Sequence, residues 1–300
     1  MRTVYVGTSE FAAGVLERLS ASPHRPSLVV TRPDRPRGRG RRLTPPPVAV
    51  TAAELGIELE QPASINDAAA RERIAAAAPE AICVCAFGAL ITEPLLSQYR
   101  MLNVHPSLLP RWRGAAPVER AIMAGDEQTG VSIMVLTAGL DSGPVCLQEP
   151  ELIRPEDTYG TLAGRLQALG GELLVRALDE DPACADQDDA AATYAAKIAS
   201  EERALDPQRS ALELERVVRA LTPHIGAHVA LEDGTLLGVH KARAQPPGAG
   251  GPPAGAVSFD GPVPVLGCAD GALELLIVQP PGRRAMAGED FLRGRRAANR

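Results

Sequence analysis

Short apolar runs alternate with amphipathic segments through the first part of the chain, and this alternation limits the fold more than any other feature. The run from Ala81 to Phe87 is apolar throughout, as expected of a strand covered by helices on both faces. Alternating strands and helices predict an α/β fold with a mostly parallel, Rossmann-like sheet and helices on both faces. The strand-like segments are 4–6, 28–30, 81–87, 101–105 and 131–136, and the helix-like segments are 10–19, 48–55, 67–78, 117–124 and 159–178, the last interrupted at Gly170-Gly171.

The pattern changes after an acidic, loop-like stretch from Asp181 to Asp189. One helical segment, Ser210–Leu221, is followed by short strands separated by turns, which is typical of a small barrel of the OB type. We therefore predict a first domain over 1–184, a linker over 185–204 and an OB-like β-barrel domain over 205–300. The predicted barrel strands are 227–231, 236–242, 256–259, 263–266 and 272–278.

Composition indicates the size of these domains and the cellular compartment in which they fold. With 300 residues, 45% of them hydrophobic, the chain can bury a core in each of two domains. The longest apolar run, Ala81–Ile91, is too short to span a bilayer, and Met1–Val6 does not resemble a signal peptide. The five cysteines are scattered and odd in number, which argues against a disulfide framework. We therefore expect a cytoplasmic protein without a membrane partner.

The segment Arg32–Arg42 (RPDRPRGRGRR) concentrates positive charge in a chain whose formal net charge is −6. Six of its eleven residues are arginine, and its prolines and glycines argue against a regular helix. Two interpretations remain open from the residues alone: a solvated charged loop, or a segment that grips an anionic partner.

Asn103-Val104-His105 is the stretch with the clearest chemical potential. Alternation along a strand places Asn103 and His105 on one face at the carboxyl end, where open parallel sheets build ligand sites. The loop after the next predicted strand can bring Asp141 to the same edge. An amide, an imidazole and a carboxylate could stabilise an oxyanion and move a proton. The alternative is a loop cap, a satisfied core histidine and a turn aspartate.

Several other kinds of site are disfavoured. No G-x-G-x-x-G follows the first strand, and the glycines at 38 and 40 precede no helix, which argues against dinucleotide and phosphate loops. Cys83 and Cys85 lie in an apolar strand, where packing explains them better than a metal. His224 and His228 are separated by Gly226, which disfavours a helical metal pair. We therefore expect no metal site.

Six segments together resemble the methionyl-tRNA formyltransferases, within the folate-dependent formyltransferase family. The most specific is Asn103–Pro117 (NVHPSLLPRWRGAAP). The others are 7–11 (GTSEF), 31–42 (the arginine segment), 139–143 (GLDSG), 193–197 (TYAAK) and 279–286 (QPPGRRAM), so the resemblance covers nearly the whole chain. Pro106, Phe87 and Ser9 stand where this family often has glycine, tyrosine and proline.

The resemblance implies a reaction and a set of roles. The formyl group of 10-formyltetrahydrofolate would move to the α-amino group of methionine on initiator methionyl-tRNA, and the protein would act as a monomer. Asn103 and His105 would hold the formyl oxygen, and Asp141 would polarise His105 and assist proton removal. The folate would contact Ser107, Leu108, Leu109, Pro110, Phe87, Gly88 and Leu90. The tRNA would contact Arg35, Arg37, Arg39, Arg41, Arg42 and the C-terminal domain.

Two other functions remain as alternatives. A formyltransferase acting on a small amine, such as a ribonucleotide or an amino sugar, would use the same three residues without needing the arginine segment or the barrel. A non-catalytic RNA-binding protein would have no need of Asn103, His105 and Asp141.

Overall fold

The computed structural model describes residues 1–37, 40–246, 248 and 250–298, and it divides the chain into two compact units. Neither unit is a single stretch of sequence, because the chain passes between them more than once. The first unit contains Met1–Pro117, Gln128–Leu152 and Ala163–Ala195, and the second contains Val118–Glu127, Ile153–Leu162 and Ala196–Arg300.

A seven-stranded sheet forms the centre of the first unit. The strands of this unit are β1 (Thr3–Gly7), β2 (Pro26–Val30), β3 (Arg35–Arg37), β4 (Arg42–Thr44), β5 (Glu58–Glu60), β6 (Ala81–Cys85), β7 (Met101–His105), β8 (Arg113–Gly114), β9 (Gln128–Val135), β10 (Val145–Leu152) and β11 (Tyr194–Ala195). The order in the sheet is β10-β9-β7-β6-β1-β2-β5. Its five strands from β7 to β5 are parallel, whereas β9 runs antiparallel to β7 and β10 antiparallel to β9. The predicted mostly parallel sheet is therefore confirmed.

Helices cover both faces of this sheet, as the alternating pattern predicts. On one face, Ile74 and Leu95 join the same apolar cluster as Val4 and Ile82. On the other face, the hydroxyl of Tyr5 donates to the carbonyl of the helical residue Ala12 at 2.6 Å. The first six helices along the chain are α1 (Glu10–Ser20), α2 (Pro47–Glu54), α3 (Ala68–Ala76), α4 (Leu95–Gln98), α5 (Pro117–Ala124) and α6 (Tyr159–Glu180).

The predicted interruption at Gly170-Gly171 is wrong, because α6 continues through both glycines. Their role is close packing. A Cβ on Gly170 would lie 2.8 Å from the Val104 side chain, and one on Gly171 would lie 2.7 Å from the Cβ of Arg18. The missing side chains thus let α6 approach the sheet and α1 closely, which outweighs the low helix propensity of glycine.

An antiparallel sheet and two helices form most of the second unit. The elements are α7 (Ala211–Leu221), β12 (Ala227–Ala230), β13 (Leu236–Ala244), β14 (Val257–Ser258), β15 (Val265–Gly267), β16 (Ala272–Gln279), β17 (Met286–Ala287) and α8 (Gly288–Ala298). The strands follow the order β12-β13-β16-β15-β14, with β17 paired to β16, and the sheet curls into a half-barrel. All five predicted barrel strands are present, and leucines and valines from α7 and the sheet share one buried cluster.

The cysteines depart from expectation at one pair, because Cys146 and Cys184 form a disulfide. An antiparallel bridge between Val145 and Ala185 places these two cysteines opposite each other, where side chains of adjacent chains lie closest. The separation of 38 residues hides this closeness from the sequence. Burial raises the pKa of the thiols of Cys83 and Cys85 to about 12, consistent with packing residues.

None of the helices in the described ranges combines the length and the apolar character needed to cross a bilayer.

Candidate active site

Asn103 and His105 occupy the carboxyl-terminal half of β7, on one face of the strand, as predicted. Both are buried, with 8% and 4% of their surface exposed. Within the described part of the chain, the side-chain amide of Asn103 makes no hydrogen bond. Its donor and acceptor atoms are therefore available to a polar group of a ligand.

The imidazole of His105 is held on one side by main chain. Its Nε2 lies 2.9 Å from the carbonyl oxygen of Trp112. Since a carbonyl can only accept, Nε2 carries a hydrogen in either charge state of the ring. The other ring nitrogen, Nδ1, lies 3.6 Å from Oδ2 of Asp141. That distance is too long for a direct hydrogen bond but short enough for an electrostatic interaction.

The route that brings Asp141 to His105 differs from the predicted one. Strand β9 is antiparallel to β7, with Val135 beside Leu102, so its carboxyl end lies at the amino end of β7. The loop between β9 and β10 must therefore fold back toward His105. Asp141 adopts a left-handed conformation with φ of 46°, and its Oδ2 accepts a hydrogen bond of 2.8 Å from the amide of Gly114.

Residues 107–110 form a loop whose backbone is fixed by polar side chains, of which those of Ser107 and Ser132 are buried. The hydroxyl of Ser107 donates to the carbonyl of Arg111 at 2.6 Å. The hydroxyl of Ser132 donates to the carbonyl of Ser107 at 2.6 Å and accepts from the amide of Leu109 at 3.1 Å. Gln148 donates to Ser132 and to the carbonyl of Leu109, both at 2.8 Å. Sequence reasoning missed Ser132 and Gln148, although Ser132 is the cross-strand partner of His105.

The loop after β6 brings together main-chain and apolar groups at the same side of the sheet. Phe87 is buried, whereas Leu90 is 72% exposed. The hydroxyl of Thr8 donates to the carbonyl of Phe87 at 2.8 Å, and the guanidinium of Arg32 donates to the carbonyl of Gly88 at 2.7 Å. Leu90 therefore offers an apolar surface on a fixed loop.

The arginine segment forms an antiparallel hairpin, with Arg35 opposite Thr44 and Arg37 opposite Arg42. Arg35, Arg41 and Arg42 are exposed, and no ion pair involves them among the residues that the structure describes. Their charges are thus available to an anionic partner. Of the other predicted tRNA contacts, Arg39 and the side chain of Arg37 lie outside the described residues.

A segment after α6 completes this region, and the sequence patterns did not indicate it. Strand β11 pairs with β8, beside the loop that carries Trp112. The Thr193 hydroxyl accepts from the amide of Trp112 at 2.9 Å, and the Thr193 amide donates to the carbonyl of Pro110 at 3.2 Å. These contacts come from residues that sequence analysis assigns to a linker.

In the ranges that the structure describes, no group of three or more histidine, cysteine, aspartate or glutamate side chains could hold a metal ion.

Comparison with known proteins identifies the class. A sequence model described as formyl transferase matches residues 1–178, and one described as formyl transferase, C-terminal domain, matches residues 197–296. The chain therefore belongs to the formyl transferase family, and the resemblance seen in its motifs is confirmed.

Relatives that share nearly the whole chain are methionyl-tRNA formyltransferases. The protein of Methylococcus capsulatus is 43% identical over 298 residues, which cover 97% of this chain and 96% of the relative. The protein of Ectopseudomonas mendocina is 42% identical over 303 residues, covering 99% of this chain and 95% of the relative.

Solved structures agree on the fold. The N-formyltransferase of Helicobacter canadensis, in complex with folinic acid and dTDP-3-aminofucose, gives a TM-score of 0.63 at 14% identity and covers 92% of this chain and 99% of its own. Methionyl-tRNA formyltransferase from Clostridium thermocellum gives 0.58 at 13% identity, covering 82% and 94%. HypX from Aquifex aeolicus with tetrahydrofolic acid gives 0.67 at 17% identity, covering 97% of this chain and 47% of that one.

Proposed function

We propose that this protein transfers the formyl group of 10-formyltetrahydrofolate to the α-amino group of methionine on initiator methionyl-tRNA. The observation that carries the chemistry is the approach of Asp141 to Nδ1 of His105 at 3.6 Å, beside the unpaired amide of Asn103. The acceptor is supported by methionyl-tRNA formyltransferases that are about as long as this chain and 42–43% identical to it.

These three side chains suit amide formation from an amine. An α-amino group has an ordinary pKa of roughly 7.7–8.0, so part of it is already neutral near pH 7. Its nitrogen attacks the formyl carbon, and the carbonyl oxygen becomes an oxyanion. The Asn103 amide and Nδ1–H of His105 donate to that oxygen. The amine loses one proton as the new C–N bond forms, and the folate nitrogen gains one as the old bond breaks.

Asp141 acts on this step through charge and proton transfer. Its carboxylate stabilises the positive charge of the imidazole when Nδ1 is protonated, which strengthens the donor to the oxyanion. The same carboxylate can take the proton of the attacking amine through a water molecule.

The residues around the site fit a folate. Main-chain groups of Ser107–Pro110 and of Phe87–Gly88 would bind the polar edges of a pterin, and the side chains of Leu108, Leu109 and Leu90 would cover its apolar faces. The fixed hydrogen bonding of the 107–110 loop reduces the ordering cost of binding.

The nucleic acid would be held by the hairpin and by the second unit. Arg35, Arg37, Arg39, Arg41 and Arg42 would contact acceptor-stem phosphates. We assign catalysis to residues 1–184, a linker to 185–204 and tRNA binding to the half-barrel domain of 205–300. The proposal also includes a monomeric protein in the cytoplasm, which sedimentation and fractionation of cells would test.

A competition among acceptors tests the assignment. The protein is supplied with 10-formyltetrahydrofolate and, separately, with methionyl-tRNA, an amino-sugar nucleotide and a glycinamide ribonucleotide. We expect formylation of the methionyl-tRNA alone. Formylation of only a small amine would overturn the acceptor, and formylation of none would overturn the reaction.

A further inference from the structure

We propose that Gln187 is a positioning residue that holds the Asp141 loop in its reactive conformation. The inference rests on the proposed function, because it gives Gln187 an effect on turnover only through Asp141. Gln187 lies beyond residue 178, where the match to the formyl transferase family model ends.

Gln187 bridges the turn that carries Asp141. Its Nε2 donates to the carbonyl oxygen of Asp141 at 2.9 Å and to that of Gly143 at 2.7 Å. Both amide hydrogens of one side chain are thereby used on carbonyls two residues apart, which fixes the main chain on either side of Ser142. This contact spans 46 residues of sequence.

The orientation of the Gln187 amide is itself fixed by a buried arginine. Nε of Arg113 donates to Oε1 of Gln187 at 3.0 Å, and another nitrogen of the same guanidinium donates to Asp189 at 2.7 Å. The side chain of Arg113 is only 3% exposed. Because a guanidinium can only donate, Oε1 must face Arg113 and the amide nitrogen must face the loop.

This arrangement demands an amide at position 187. The two loop carbonyls require a donor, and Arg113 requires an acceptor, so the side chain between them must provide both. Glutamate could accept from Arg113 but would set a carboxylate against two carbonyl oxygens. Leucine could neither donate to the two loop carbonyls nor accept from Arg113.

The loop needs such support because of its backbone. Asp141 has a φ of 46°, in the left-handed region, which costs energy for L-residues although aspartate tolerates it better than most. Its conformation persists because surrounding contacts fix it. Gln187 holds the main chain of Asp141, while the amide of Gly114 holds its carboxylate at 2.8 Å. Arg113, which orients Gln187, and Gly114, which binds the Asp141 carboxylate, are the two residues of β8. Strand β8 therefore connects the orientation of Asp141 to the segment after α6.

The test compares Gln187→Leu and Gln187→Glu with a control, Ser22→Ala. The Ser22 side chain also fixes main chain of the first unit, since its hydroxyl donates to the carbonyl of Leu19 at 2.7 Å and accepts from the amide of His24 at 3.1 Å, but it has no part in the proposed site. We expect either Gln187 variant to lower kcat by about 10- to 100-fold, since small misplacements of a reacting group have effects of that size. KM for both substrates should stay within about threefold, since neither is bound by Gln187.

A double-variant cycle separates positioning from general stability. In an Asp141→Ala background, Gln187→Leu should change kcat by less than about twofold, because the group it positions is absent. Thermal unfolding is measured for every variant, and if Gln187→Leu does not fold, Gln187→Glu takes its place in the cycle. Ser22→Ala should keep the wild-type kcat.

The outcomes are distinct. Normal kcat in a folded Gln187 variant overturns the inference, and so does a kcat loss of equal size with and without Asp141. A normal kcat for Asp141→Ala alone overturns the role of Asp141 in the proposed function. If Asp141→Ala is inactive while both Gln187 variants turn over normally, only the positioning role of Gln187 fails.

Discussion

His105 is the residue whose environment most restricts its chemistry. The Trp112 carbonyl occupies one ring nitrogen, so Nδ1 is the nitrogen left for a ligand, and it lies 3.6 Å from Asp141. The Asn103 amide lies two residues earlier on the same face of β7. A ring with one nitrogen fixed and one free can donate in a single direction, which is the requirement for stabilising one developing oxyanion.

The first prediction concerns these three side chains. Asn103→Ala, His105→Ala and Asp141→Ala should each lower turnover by about 10²- to 10⁴-fold, the range typical of oxyanion donors and proton-transfer groups. Affinity for methionyl-tRNA should change little, because the hairpin and the second unit provide the proposed phosphate contacts. Single-turnover formylation and a filter-binding assay measure the two quantities. Near-normal turnover of any one variant would remove that residue from the mechanism.

The hairpin β3–β4 is the element that gathers exposed arginines next to the sheet. Arg35 and Arg42 lie on its two strands, and both side chains are exposed. Like charges gathered on one short hairpin repel each other and oppose its folding by itself. An anion placed over the hairpin relieves that repulsion.

The second prediction follows from this charge. Arg42→Ala should weaken tRNA binding and reduce the slope of log K against log salt concentration by about one, the value for one lost phosphate contact. Arg25→Ala serves as the control, because it removes an arginine of the same unit outside the hairpin. An unchanged salt slope for Arg42→Ala would mean that this residue meets no phosphate.

Helix α7 begins with a complete capping box. Ser210 accepts from the amide of Glu213 at 3.2 Å, and the Glu213 carboxylate accepts from the amide of Ser210 at 3.0 Å. These hydrogen bonds hold the pKa of Glu213 below its usual range, the main cause being the backbone amide of Ser210. A carboxyl with a lowered pKa stabilises the fold above its unfolded-state pKa of roughly 4.3 and loses that contribution as pH falls.

The third prediction uses this box. Ser210→Ala should lower the free energy of unfolding of the second unit by about 1 kcal/mol at pH 7, the usual effect of losing an N-cap. The difference between Glu213→Gln and wild type should shrink as pH falls below about 4, where the wild-type carboxyl also becomes neutral. Urea unfolding at a series of pH values measures both. A difference that is constant across pH would mean that the charge of Glu213 does not contribute.

Sequence patterns locate elements better than they orient them. The apolar runs at 81–85 and 101–105 predict strands, because a strand buried on both faces has an apolar sequence whichever strands lie beside it. The direction of β9 could not be predicted, because an apolar segment has the same pattern in a parallel strand and in an antiparallel strand. From the sequence alone, Gly170 and Gly171 suggest a break in the helix. The close approach of Val104 and Arg18, which explains the two glycines, is visible only in the structure.

In the candidate site, too, local features can be predicted from the sequence, whereas long-range contacts cannot. Asn103 and His105 can be paired from alternation within one strand, a local property. Ser132 and Gln187 give no such signal, because their partners are 25 and 46 residues distant and are main-chain groups that any residue possesses. The motif resemblance supplied the role of Asp141, and the geometry supplied the reason why it reaches His105.

At the scale of the molecule, the Cys146–Cys184 disulfide joins the start of β10 to the segment after α6. It closes a loop of 38 residues that contains β10 and the whole of α6. Closing such a loop removes conformational freedom from the unfolded chain, which stabilises the folded state.

The fourth prediction is that reduction weakens the first unit. Dithiothreitol should lower its free energy of unfolding by about 2–4 kcal/mol, the range for a loop of this length. The double variant Cys146→Ser/Cys184→Ser should be insensitive to the reductant, and wild-type protein treated with an alkylating agent before reduction should retain both half-cystines. Equal stability with and without dithiothreitol would contradict the role of the bond.

The interleaving of the two units has a consequence for how the protein can be divided. Glu119 is buried and pairs with His224 at 2.9 Å, although more than a hundred residues separate them. A truncated protein that ends at Ala195 would therefore still contain Val118–Glu127 and Ile153–Leu162. It would lack the 105 residues with which these segments fold. The two units therefore cannot be exchanged between proteins at one junction of the chain. Any functional recombinant of two such enzymes must keep these three segments from the same parent.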